Sequence, residues 1–203
     1  MDPIPPAPAT PSAGAAPVGQ APSSRAELLA LLRDGGSRER IPDLVSRVER
    51  EQPADLRRDA PLVEGVWELR WSSGSQPYLA TAPWITNLQV LAPSRGQGMN
   101  LLRLAGPLGD LAGIAVRAAI ALEPPAAEDQ PSQRVSVRFE RGGWLGPSLG
   151  GQRLQLLREV RQSFPAWLDI TAVDEELRIC RGNAGTVFAL LRRPDLSVEE
   201  LLG

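Results

Sequence analysis

Asp169, Asp174, Glu175 and Glu176 crowd into one short stretch, just ahead of Arg178, Cys180 and Arg181. Carboxylates this close can share a proton or gather a cation, which admits paired-carboxylate acid/base chemistry or a metal site. The offsets are not those of an EF-hand loop, and a solvated acidic turn is the simpler reading. Asp174, Arg178 and Arg181 can also form a carboxylate-guanidinium cluster, because the planar fork of arginine matches a carboxylate. Alternation along a strand puts Arg178 and Arg181 on opposite faces, and an arginine on a closing strand can stack over Trp67. Cys180 is the single cysteine, and arginine neighbours can lower its pKa, yet a packed, inert thiol is expected.

Residue types that are missing narrow the chemistry further. The 203 residues contain no histidine and no lysine; all 22 basic residues are arginine. A Ser-His-Asp or Cys-His nucleophile, a His-ligated zinc, a Schiff base and a P-loop lysine are therefore excluded. A lone cysteine excludes an intramolecular disulfide and any CxxC metal knuckle. The glycine-rich stretch Gly142 to Gly151 lacks the strand-to-helix context and the lysine of a phosphate cradle. It reads instead as a flexible loop whose Trp144, Leu145 and Leu149 either dip into lipid or fold over the rest of the domain. No enzyme activity and no cofactor are expected. The net charge of -2 also argues against nucleic-acid binding driven by bulk charge.

The elements that must position these residues show in the hydrophobic periodicity. Residues 1–24 hold seven of the 20 prolines among Ala, Ser, Thr and Gly, and read as a disordered leader without a secretory or transit signal. Ser24 with Glu27 resembles a capping box ahead of Leu28, Leu29, Leu31 and Leu32, with Gly35 and Gly36 as the stop. A second helix follows from Ile41, with Pro42 in its first turn and Leu44, Val45 and Val48 on one stripe. These helices, over about residues 25–52, are expected to pack on the main domain.

From about residue 62 the period becomes two. Trp67, Leu69 and Trp71 share one face of a strand, and Val135, Val137 and Phe139 share one face of another, Arg134 to Arg141. Weaker strands fit Trp84 to Leu91, Gly98 to Leu104 and Ile114 to Leu122. A terminal hairpin is expected from Glu176 to Arg181 and Thr186 to Arg192, with Leu177 and Ile179 on one face and Gly182 to Gly185 at the turn. Arg153 to Gln162 suits either a strand or a helix. Leu101 to Leu122, the longest apolar stretch, carries Arg103, Asp110 and Arg117 and is not a transmembrane helix. Several strands with one apolar face each must stack as a sandwich or close on themselves, and closure removes exposed edges.

Three segments carry a family resemblance. Leu62-Val63-Glu64-Gly65-Val66-Trp67-Glu68-Leu69-Arg70-Trp71-Ser72-Ser73 is similar to the opening strand of the plastid lipid-associated protein (PAP/fibrillin) family. Trp167-Leu168-Asp169-Ile170-Thr171-Ala172-Val173-Asp174-Glu175-Glu176-Leu177-Arg178-Ile179-Cys180-Arg181-Gly182-Asn183 resembles its W-L-D-T-T-Y-L-D-E-D-L-R-I-x-R-G-N signature. Arg47 to Pro53 is similar to the family's helix ending in L-E-x-x-N-P. Ala172 stands where the family has tyrosine and Gln52 where it has asparagine, so no role can rest on that hydroxyl here.

The resemblance implies a mainly β protein, a lipocalin-like antiparallel β-barrel over about residues 62–193 with short N-terminal α-helices. It implies non-enzymatic association with an apolar lipid, quinone or carotenoid, and peripheral contact with thylakoid membranes or lipid droplets. A packed barrel that docks on a protein partner, such as an isoprenoid-synthesising enzyme, is the alternative. A cyanobacterial member, thylakoid-associated or cytoplasmic, fits better than a plastid-imported one. Inward residues of such a barrel either line a ligand cavity or fill it. The expected ligand-binding set is Trp67, Leu69, Trp71, Val135, Val137, Phe139, Leu177 and Ile179, with Arg181 at the mouth.

Overall fold

A computed structural model describes residues 22–74, 82–106, 109, 111, 113–150, 152–162 and 164–202. Only the last three residues of the expected leader fall among them. Helix α1 (Ser24–Asp34) is capped by Ser23, not Ser24: the Ser23 hydroxyl accepts from Ala26 N, and Ser24 instead donates to Glu51. Gly35 ends the helix in the left-handed conformation. Helix α2 (Ile41–Glu51) begins with Pro42 in its first turn, as expected. A third helix, α3 (Leu56–Val63), was not legible as one; Asp55 caps it by accepting from Arg57 N.

Nine strands follow among the described residues: β1 (Gly65–Ser72), β2 (Ile85–Ala92), β3 (Gln97–Leu104), β4 (Gly113–Leu122), β5 (Arg134–Leu149), β6 (Gln152–Glu159), β7 (Ala166–Val173), β8 (Leu177–Gly182) and β9 (Val187–Arg192). A short helix, α4 (Val198–Leu202), comes last. All pairings are antiparallel, in the order β4-β3-β2-β1-β9-β8-β7-β5-β6, and an additional β4–β5 pairing closes the sheet into a ring. The long β5 makes this possible. Its first half pairs with β7, its second half with β6, and β4 runs along both.

Of Gly142 to Gly151, expected as a loop, the residues up to Leu149 are thus the second half of β5, Gly150 is a turn, and residue 151 lies outside the described residues. Glycine is what lets the strand be there. Gly143 has φ +155°, and a Cβ on it would lie 2.1 Å from the Leu156 carbonyl oxygen of β6. Of the ambiguous segment Arg153 to Gln162, the residues up to Glu159 belong to the strand β6, and residues 160–162 are in neither a strand nor a helix.

The ring divides its apolar residues among three clusters. Trp67, Leu69, Leu91, Ala118, Ile120, Val135, Ile170, Cys180 and Leu190 come from seven strands around the ring and meet in its interior. Trp71, Ala172, Leu177, Ile179 and Ala189 lie on the outer face under α1 and α2. Val66, Leu88, Val90, Met99 and Leu101 lie on the outer face under α4. Burying both faces of β1, β8 and β9 explains why their strands carry more apolar residues than a half-solvated sheet needs.

Candidate functional site

The interior is organised around Trp67, which is fully buried. Its indole N–H donates to the Val63 carbonyl at 3.0 Å. Two guanidinium groups approach its ring, Arg192 at 4.3 Å and Arg178 at 5.0 Å from the centroid. The expectation that a strand arginine stacks on Trp67 therefore holds, and two strands supply one. Arg192 is well satisfied, since its three nitrogens donate to the carbonyls of Glu175, Glu64 and Leu62. Arg178 differs: it has 0% exposure, and its Nη2 donates to Gln89 Oε1 across the ring. Burial pulls its pKa down to about 10, so it remains a cation at neutral pH. The neighbouring Cys180 thiol is pushed up to about 11 by burial, and is neutral.

Five of the residues named from the sequence, Trp67, Leu69, Val135, Val137 and Phe139, share the interior. Trp71, Leu177 and Ile179 do not join them. A bulge between Leu69 and Trp71 reverses the alternation of β1, so Trp71 pairs with Ala189 on the outer face. On β8 the inward positions belong to Arg178 and Cys180, which sends Leu177 and Ile179 outward under the helices. Arg181 is also outward, donating through Nε and Nη2 to the two oxygens of Glu49 on α2 at 2.8 and 2.6 Å.

The expected Asp174-Arg178-Arg181 cluster is not formed, because Asp174 and Arg181 each pair with another residue. Asp174 accepts from Arg25 at 2.6 Å and from the backbone N–H groups of Glu176 and Leu177. Glu176 accepts from Arg25 and Arg33, and Asp169 from Arg134. These pairs fasten α1 and the strand ends. No group of three or more metal-ligating side chains occurs among the described residues.

The inner face continues beyond the closed part of the ring. Pairing sets Leu102, Ile114, Trp144 and Leu156 side by side across β3, β4, β5 and β6. Ile114 is 62%, Trp144 40% and Leu156 63% exposed, and a groove of about 210 Å³ runs between Leu102, Leu104, Ile114 and Trp144. One pleat inward, Gln89 pairs with Asn100, and Asn100 with Val116. Gln89 and Asn100 had no sequence signal as site residues. Their mark is a polar side chain on the inward face of the sheet, which Asn87 shares.

No helix among the described residues is long and apolar enough to cross a membrane. No curated protein matches the chain. The PAP_fibrillin family model matches residues 27–191, from α1 to β9. With the strand signature segments placed on a ring-closed antiparallel sheet, the chain belongs to the PAP/fibrillin family of lipid-associated structural proteins.

Proposed function

We propose that this protein binds or organises an apolar lipid-class molecule, a lipid, quinone or carotenoid, without catalysing a reaction. The observation that carries this reading is the apolar row of half-buried Leu102 and exposed Ile114, Trp144 and Leu156, which continues the inner face of the ring into solvent. Large contiguous apolar surface of this kind marks an interaction site. Family membership supports a lipid as the occupant. In this reading the sheet is a lipocalin-like barrel whose inward residues Trp67, Leu69, Val135, Val137 and Phe139 form its floor and wall. Trp71, Leu177, Ile179 and Arg181 hold the helices in place instead. The protein works at the periphery of thylakoid membranes or lipid droplets, in a cyanobacterial setting.

The test is mass spectrometry of the native protein, before and after organic extraction, from a host that makes carotenoids and plastoquinone. A stoichiometric lipid, quinone or carotenoid is expected. A protein that is empty and also refuses added lipid would sink this reading and favour a packed barrel that docks on a protein partner.

A further inference from the structure

Arg178 is a cation enclosed by the ring without an anion. Its Nε and Nη1 are buried and have no hydrogen-bond partner, Nη2 donates to the neutral amide of Gln89, and the other polar neighbour of the group is the neutral Cys180 thiol. No carboxylate pairs with it among the described residues, whereas Arg25, Arg134 and Arg181 each have one. The nearby Cys180 is neutral and the nearby Arg192 has the same charge. A guanidinium this deeply buried is normally paired, since desolvation penalises the bare ion and idle N–H groups add to that penalty. Trp67 offsets part of it through its ring face, but supplies no acceptor for the idle nitrogens.

The surroundings of Arg178 lead outward in a fixed order. Gln89, whose amide oxygen accepts from Arg178, pairs with Asn100, which is exposed, so the polar strip reaches from the buried cation to solvent. Leu102 stands two residues beyond Asn100, about 7 Å along the strand. From Leu102 the apolar row runs on through Ile114 and Trp144. Cation, amides and an open hydrocarbon strip are the sequence of groups that an acidic amphiphile presents in reverse: an anionic oxygen, a polar neck and a chain.

We infer that Arg178 is the head-group anchor of a site for a single-chain carboxylate lipid, whose chain lies along Leu102, Ile114 and Trp144. The inference rests on the lipid-binding reading above and adds the charge and shape of the ligand. The carboxylate accepts from the idle Arg178 nitrogens and from the amides of Gln89 and Asn100 as they turn toward it. Its charge neutralises the enclosed cation, so ligand and fold stabilise each other.

The test compares dodecanoate, dodecan-1-ol and dodecyltrimethylammonium, each below its micellar concentration, in titrations of the full chain read by tryptophan fluorescence and calorimetry. Dodecanoate is expected to bind at least tenfold tighter than dodecan-1-ol, with the ammonium weakest. In a folded Arg178→Met variant the dodecanoate and dodecan-1-ol affinities should converge. Asn100→Leu, at the exposed end of the polar strip, should weaken dodecanoate several-fold and leave dodecan-1-ol unchanged or tighter. If Arg178→Met does not fold, the ranking in the unaltered protein and in Asn100→Leu decides. Equal binding of dodecanoate and dodecan-1-ol would overturn the anchor and leave the lipid reading standing. A carboxylate preference that persists in folded Arg178→Met would also overturn it, by assigning the preference to surface arginines. Failure of all three probes to bind would overturn the anchor, and the lipid reading is then decided by the mass spectrometry above.

Discussion

Arg192 reaches Trp67 because residue 65 has no side chain. Gly65 sits at φ +144°, and a Cβ there would stand 2.4 Å from Arg192 Nη1. Trp67 and Arg192 are also direct partners across the β1–β9 pairing, so the stacked pair fastens the strands that join the two ends of the domain. The Gly and the Trp of the opening-strand signature thus serve one contact with a residue far along the chain.

Gly65→Ala should destabilise the fold by about 1–3 kcal/mol, from the unfavourable backbone conformation together with displacement of Arg192. Urea unfolding followed by fluorescence should show a lower midpoint at an unchanged slope. An unchanged midpoint would mean that Arg192 relocates at no cost and that the stack contributes nothing.

Ile179→Ala separates packing from binding. The residue is fully buried under α1 and α2, so the substitution should cost about 2–5 kcal/mol while leaving lipid uptake per folded molecule intact. Phe139→Trp, on the inner face, should lower uptake instead. Reduced uptake in folded Ile179→Ala would show that the outer face takes part in binding.

Acid should loosen α1 first. Burial alone would raise the Asp174 carboxyl, but the Arg25 hydrogen bond and the N–H groups of Glu176 and Leu177 outweigh it and hold the carboxyl below its usual value of 3.8. A depressed folded-state pKa stabilises the fold above the unfolded value, and that stabilisation disappears as pH falls below about 4. Arg25→Met should lose about 1 kcal/mol at pH 7, allowing for solvent screening, and show a shallower loss of stability below pH 4. An acid profile identical to that of the unaltered protein would assign the loss to other carboxylates.

Cys180 should be unreactive in the folded protein. It has 0% exposure and its thiol is pushed up to about 11 by burial, so iodoacetamide at pH 8 should modify it only in denaturant. Modification at the unfolded rate without denaturant would show that the ring opens readily.

The strands were legible wherever apolar and polar residues alternate against solvent, and β1, β3, β4 and the β8–β9 hairpin lie within a residue or two of their expected bounds. Which face turns inward was less legible. Trp71 reads as a continuation of Trp67 and Leu69 until the bulge at Arg70 is known, and a bulge leaves no mark in a pattern of period two. Leu177 and Ile179 look like core residues and are, but of the helix-covered outer face; alternation cannot tell two buried faces apart. Gly142 and Gly143 read as a loop by composition, whereas their missing side chains let β6 approach β5. Arg178 could be placed opposite Arg181, but its lack of a carboxylate followed only from seeing Asp174 paired with Arg25.

Ring closure also sets a timetable for assembly. β1 pairs with β9, and the Glu68–Arg193 ion pair beside that seam spans 125 positions of sequence. While the chain is being made, β1 to β4 can form hairpins, but their open edge at β1 has no partner until the last strand has left the ribosome. Contacts this distant slow folding, because the loop must close before the seam can reward it. The nascent chain therefore passes through an interval in which an unpaired strand edge is in solution, when association with another chain competes with closure.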